Sequence, residues 1–108
     1  MAVKITLMYP QPTDLEAFEH AYSTEHVPTA APVFQAAGAT KAVMSKAVGA
    51  PAGTPAFHRV AEIYFPDMAT LQACAASKAG QDVLAHAAKI SSGGPPVVFI
   101  AEEETITF

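Results

Sequence analysis

Little in this chain could cross-link it or charge it. Its 108 residues include one cysteine, Cys74, and no tryptophan. A single thiol forms no intrachain disulfide, so the fold must rest on its core, and the chain suits a reducing cytoplasm. Cys74 lies in an alanine-rich stretch and reads as a small buried apolar residue. Only 15% of residues are charged, against about 25% in an average soluble domain. Six lysines and arginines are scattered along a chain of net charge −4. Without a basic stripe, no nucleic-acid partner is expected. The longest acidic run, Glu102-Glu103-Glu104, is too short for an interaction tail. No apolar run approaches the roughly 20 residues of a membrane span. Met1-Ala2-Val3-Lys4 lacks the apolar segment of a secretory signal. The expectation is a cytoplasmic protein with no membrane partner.

Motifs for bound groups are missing as well. The histidines are His20, His26, His58 and His86, and no two stand at the i, i+4 spacing of a helical ligand pair. There is no Cys-x-x-Cys, no glycine-rich dinucleotide or phosphate loop, no haem attachment motif and no nucleophile elbow. The reading therefore carries no metal and no cofactor.

What remains is apolar: 51% of the residues, in a length that suits one domain over 1–108. Low charge on a small domain implies that part of its surface is covered, and a homodimer is the simplest cover. Residues 3–9 alternate, with Val3, Ile5, Leu7 and Tyr9 on one strand face and Lys4, Thr6 and Met8 on the other. Thr13-Asp14-Leu15-Glu16 reads as a capping box, followed by Leu15, Phe18 and Tyr22 at helical spacing. Pro28 biases Val27 away from the helical region and is expected to end this helix. A short helical piece follows over 29–37, closed by Gly38. Residues 39–48 and 57–65 read as strands around a Gly- and Pro-rich loop. In the second of these, alternation puts His58 with Val60, Glu62 and Tyr64, so His58 and Glu62 are expected on a sheet–sheet interface. Asp67 is an N-cap, Ser77 restarts the helix, and the pattern runs to about residue 90. Val97–Ala101 reads as a buried strand, and residues 105–108 as an added edge strand or an arm to a partner. The order βα(α)ββαβ predicts an α+β, ferredoxin-like fold: a four-stranded antiparallel sheet with helices on one face. Met8, Val60 and Tyr64 make the second face partly apolar, so sheet-on-sheet packing in a dimer would bury it.

The segment Tyr22-Ser23-Thr24-Glu25-His26-Val27-Pro28 concentrates the chemistry. An imidazole at a helix exit can take a proton at neutral pH, and a helix C-terminus favours its cation. It can equally cap a backbone carbonyl. Tyr22, one turn earlier, can orient the imidazole or a substrate oxygen, or simply close the apolar stripe. Tyr9 and Tyr64 offer an apolar body with a polar tip to phenolic or quinone-like ligands. Phe57 and Phe65 suit the core. The candidate catalytic residues are His26 and Tyr22; the candidate ligand contacts are Tyr9, Tyr64, Phe65 and Met44.

The run from Tyr9-Pro10 through Phe18, Tyr22 and His26-Val27-Pro28, with Arg59-Val60-Ala61-Glu62-Ile63-Tyr64-Phe65 and the later Ser77-Lys78-Ala79-Gly80-Gln81, resembles the EthD family. That family is named from a gene cluster for ethyl tert-butyl ether degradation. The resemblance covers nearly the whole chain and implies a dimeric α/β barrel, in which two ferredoxin-like subunits join their sheets. The wider superfamily includes small monooxygenases and isomerases. The resemblance thus implies a dimer, and the helix-exit histidine with its tyrosine-rich surroundings adds the expectation that it binds an apolar or aromatic carbonyl metabolite between helices and sheet. His26 would move a proton without a cofactor; the alternative is a carrier or accessory protein for a partner oxidase. Relatives often carry an acid and then a phenylalanine in the last helix, where this chain has His86 and Ile90. The segment Thr29-Ala30-Ala31-Pro32 is also less apolar than the family pattern.

Overall fold

The alternating strands pair into one antiparallel sheet. A computed structural model describes residues 2–108, with strands β1 (Ala2–Pro10), β2 (Lys41–Lys46), β3 (Phe57–Phe65) and β4 (Val97–Glu103) in the order β2-β3-β1-β4. In the central pair, Val3 faces Phe65, Ile5 faces Ile63 and Leu7 faces Ala61. This register gathers the apolar side chains on one face, and four helices cover it: α1 (Leu15–Ala21), α2 (Val27–Ala36), α3 (Met68–Ala76) and α4 (Lys78–Ile90). The result is the α+β, ferredoxin-like arrangement. The molecule's shortest dimension is 19 Å, which fits one helix layer on one sheet and leaves the second sheet face bare. No helix among the described residues is long and apolar enough to cross a membrane.

Pro28 does not end the first helix. The chain passes from α1 through a π-helical turn at Tyr22–His26 directly into α2, where Pro28 sits in the first turn. The Val27 amide donates to the Tyr22 carbonyl, five residues back. That wide turn takes in the proline without breaking the rod. Threonine and serine side chains serve neighbouring carbonyls: Ser23 Oγ donates to Glu19 (2.7 Å) and Thr29 Oγ1 to Glu25 (2.7 Å). Because the helix continues, His26 lies mid-rod, and the helix-end dipole expected to favour its cation is absent.

The π turn also explains a burial pattern that an α-helix cannot give. Phe18, Tyr22, His26, Ala30 and Phe34 recur every fourth residue, and all are buried. At 3.6 residues per turn each four-residue step overshoots by about 40°, or about 160° over four steps. One extra residue in the wide turn takes back about 100°. The row therefore stays on the sheet side.

Local capping departs from expectation at one end and matches it at three. Asp14, not Thr13, is the N-cap of α1 and accepts from the Ala17 amide at 3.0 Å; Leu15 is left half exposed. Asp67 caps α3, accepting from Thr70 N at 2.7 Å, and Ser77 caps α4, accepting from Gly80 N at 3.0 Å. Gly38, at φ +95°, ends α2 with its amide on Gln35 and the Ala39 amide on Phe34, both near 3 Å. Gly80 is needed for a different reason. A Cβ there would stand 2.1 Å from the Cys74 carbonyl, so the α3–α4 corner that aims α4 admits no side chain.

Two strand readings change. The β1–β3 register slips between Tyr9 and Pro10, leaving an extra residue in β3 at His58. This bulge turns His58 toward the helices, where Nε2 meets Glu19 at 3.1 Å, so it does not share the outer face with Glu62. β4 is an edge strand whose Val97, Val98, Phe99 and Ile100 are half exposed in the single chain rather than buried. Residues 105–108 form no strand; Ile106 and Phe108 are exposed.

A candidate active site between α2 and the sheet

The sheet face under the π turn is not completely filled. A cavity of about 70 Å³ lies there, lined by Tyr9, Tyr22, His26, Ala30, Phe34 and Met44, with small and aliphatic side chains including Leu7, Ile63 and Val83 around them. Beside it, between α2 and the β2 edge, a cleft of about 310 Å³ shares Ala31, Phe34, Ala42 and Ile63 with the cavity. The cavity walls are almost wholly carbon, and the side-chain nitrogen and oxygen atoms among them come from two tyrosines and one histidine.

Each of these groups is held by packing. Tyr9 is fully buried at the end of β1, edge-on to Phe18 and to Tyr22, both at 5.5 Å between ring centres. Tyr22 stacks between Phe18 (5.6 Å) and His26 (6.0 Å), with the Arg59 guanidinium 4.9 Å from its ring centre. Glu19 fixes that guanidinium with two bonds, at 2.7 and 3.0 Å, and also takes His58. Three charged or polar groups thus brace one tyrosine without entering the cavity. The Arg59 hydrogen bond is the main reason the Glu19 carboxyl is held below its usual range.

His26 links inside to outside. Its Nε2 stands 3.4 Å from the Tyr9 hydroxyl, a long contact that leaves the nitrogen free to meet a ligand. Its Nδ1 is 2.8 Å from Nδ1 of His86. The ring centres are 5.1 Å apart and the planes differ by 18°. That separation is the nitrogen distance plus a ring radius on each side, so the two imidazoles meet edge to edge. One of the pair donates and the other accepts. Burial first, and the neighbouring His86 second, lower the His26 pKa to about 4, so its ring is neutral at pH 7. Burial also pushes the Tyr9 and Tyr22 hydroxyls up, keeping both protonated.

The residues singled out from sequence divide cleanly. His26, Tyr22, Tyr9 and Met44 meet around the cavity. Phe65 is core at 2% exposure and does not line it. Tyr64 lies on the sheet's opposite face, donating to Glu103 at 2.5 Å in a cluster where Lys4 bonds both Glu62 and Glu103. His86 was not a candidate from sequence. Sixty residues separate it from His26, and the available signal was its place in the last helix, where the family resemblance implies an acid. Among the described residues no group of three or more His, Cys, Asp or Glu side chains is placed to hold a metal.

The comparisons agree with this architecture. The EthD domain model matches residues 10–93. An uncharacterized 11.0 kDa protein from the thcB–thcC intergenic region of Rhodococcus erythropolis is 31% identical over 103 residues, covering 95% of this chain and 96% of that one. The crystal structure of an ethyl tert-butyl ether degradation (EthD) family protein from Bacillus halodurans superposes with a TM-score of 0.86 at 29% identity, over 96% of this chain and 100% of that one. A dimeric ferredoxin-like protein of unknown function from Jannaschia shares the fold at 13% identity, with a TM-score of 0.67 over 94% of this chain and 98% of that one. With the family model spanning residues 10–93 and a family structure superposing over 96% of its length, the chain belongs to the EthD family.

Proposed function

We propose that this protein is a cytoplasmic homodimer that binds a small apolar or aromatic carbonyl compound in the cavity and moves a proton at the carbon beside the carbonyl, with His26 as the acid–base group. The observation that carries this reading is a neutral imidazole whose Nε2 opens on a carbon-lined enclosure next to a protonated phenol. A carbonyl oxygen in that enclosure has the Tyr9 hydroxyl as its donor, and a C–H beside it comes within reach of Nε2. Tyr22 holds the imidazole plane, and Met44 and Phe34 shape the wall. The cavity takes the reacting end of the ligand and the adjoining cleft takes the rest, since ligand sites usually span about 300–1,000 Å³. Removal of that proton gives an enolate. Return of the proton to another carbon is isomerisation; capture of the enolate by dioxygen is cofactor-independent oxygenation. Both begin with the step assigned to His26.

The dimer reading rests on the bare sheet face, where Met8, Val60, Val97 and Phe99 lie in register around the Lys4 cluster. A second copy packed there would cover them.

The test is turnover of a panel of phenols, lactones and aromatic ketones by wild type and by His26→Ala. Loss of turnover with folding intact supports the reading; equal turnover removes His26 from the chemistry. One observation favours a carrier instead: an imidazole of pKa about 4 is a weak base. A ligand found by native mass spectrometry that the protein alone leaves unchanged would decide for the carrier.

A further inference from the structure

A lone buried histidine that accepts a proton becomes a cation, and carbon walls oppose that charge. Here the imidazole has an outlet. On the far side of His26 from the cavity, a surface recess of about 220 Å³ lies between α2 and α4, lined by His26, Thr29, Val33, Ala79, Asp82 and His86. His26 borders both spaces, whereas His86 borders only the outer one. The two rings meet at 2.8 Å on the boundary.

We propose that His86 is the outward half of a two-histidine relay that carries the proton taken by His26 from the cavity to solvent. The inference rests on the reading of His26 as the proton-transfer group. At the start His26 carries its hydrogen on Nδ1 and donates it to the bare Nδ1 of His86, whose own hydrogen is on Nε2. The ligand C–H bond breaks and its electron pair stays on the ligand as the enolate. The proton forms an N–H bond at His26 Nε2. The Nδ1 hydrogen of His26 moves to His86 Nδ1, and the Nε2 hydrogen of His86 leaves to water in the recess. One proton enters the pair and one leaves, so the pair ends neutral with both tautomers exchanged. The enolate charge is met by the Tyr9 hydroxyl.

The surroundings suit such a path. The groups of the π turn that face this pair are Tyr22 and His26 itself, and α2 has no titratable residue. The titratable group of α3 is the buried Cys74. Asp82 lies one turn before His86 and is paired with Lys78 at 2.9 Å. No charge is therefore aimed at the shared hydrogen from the packed side. His86 touches no ligand; it is a positioning residue that sets the His26 tautomer and gives its proton an exit.

The experiment separates positioning alone from relay. Glutamine at 86 can keep a hydrogen bond to His26 Nδ1 but cannot pass a proton through. Deuterium uptake from D₂O into 2-tetralone, an aromatic ketone, is followed for wild type, His26→Ala, His86→Gln and His86→Phe. In parallel, ¹⁵N spectra of the histidine rings at neutral pH report tautomers. The relay expects both His86 variants to lose at least about tenfold in exchange, a ring hydrogen shared between His26 and His86 in wild type, and a single fixed His26 tautomer in His86→Gln. Wild-type exchange in folded His86→Gln overturns it, as does a His26 tautomer indifferent to residue 86. Failure of wild type to exceed His26→Ala, with the shared hydrogen present, refutes the proposed reaction rather than the pairing.

Discussion

Acid should weaken this fold earlier than its carboxylates alone would. His26 has an ordinary pKa of 6.5 and a folded value of about 4. Between those values the unfolded chain binds more protons than the folded one, so stability falls as the pH drops through the window and is fully retained above it. The shift corresponds to about 3 kcal/mol in all, of which about 2 kcal/mol is lost by pH 5. Glu19, Asp67 and Glu103 have depressed values, so their contributions are lost below about pH 4.5, outside most of this window. Urea unfolding at pH 7.5, 6 and 5 measures the loss. His26→Gln, whatever its stability at pH 7.5, should show a flatter curve by about 2 kcal/mol at pH 5. A wild-type curve flat to within about 0.5 kcal/mol from pH 7.5 to 5, or an equal slope in His26→Gln, would refute the claim that burial keeps this imidazole neutral.

Three further outcomes are open to measurement. Leu71 is fully buried among the helices and sheet, so Leu71→Ala should cost about 3 kcal/mol by urea unfolding. Gly80→Ala drives a methyl into the Cys74 carbonyl and should cost about 1–3 kcal/mol, lowering the thermal midpoint even though alanine favours helix. Phe99→Glu places a charge on the bare sheet face; light scattering should then find a monomer with little loss of thermal stability, whereas an unchanged dimer would move the interface elsewhere.

Strand faces and most helix ends were readable because each follows from two or three neighbouring residues. Val3, Ile5, Leu7 and Tyr9 alternate without interruption, and Asp67 and Ser77 each stand three residues before the amide they cap. The readings that failed depended on a partner outside the local window. Pro28 is a helix stop only if the preceding turns are α; with the turn before it widened, the same proline sits inside a continuous rod. His58 follows the alternation rule until the slip opposite Tyr9–Pro10 inverts it. Val97–Ile100 look like core by composition, yet a single chain gives them only an edge position. Of the site, Tyr22 and His26 share one face of the rod, as their four-residue spacing allowed, and Tyr9 and Met44 meet them from the sheet. The pairing of His26 with His86 depends on how α4 crosses the π turn, which no spacing within either segment encodes.

The widened turn also restricts which insertions and deletions this helix tolerates. It behaves as a frameshift held in place: upstream, Phe18 and Tyr22 set one frame; downstream, Ala30 and Phe34 continue it only because one surplus residue lies between. Removing Thr24 would take the surplus residue out and let the rod run as regular α-helix in the same phase, whereas removing a residue elsewhere in the rod, with the wide turn kept, would turn everything after it by about 100°. The chain would then have to choose between burying Phe18 and burying Phe34. In this rod, segment length carries as much structural information as residue identity.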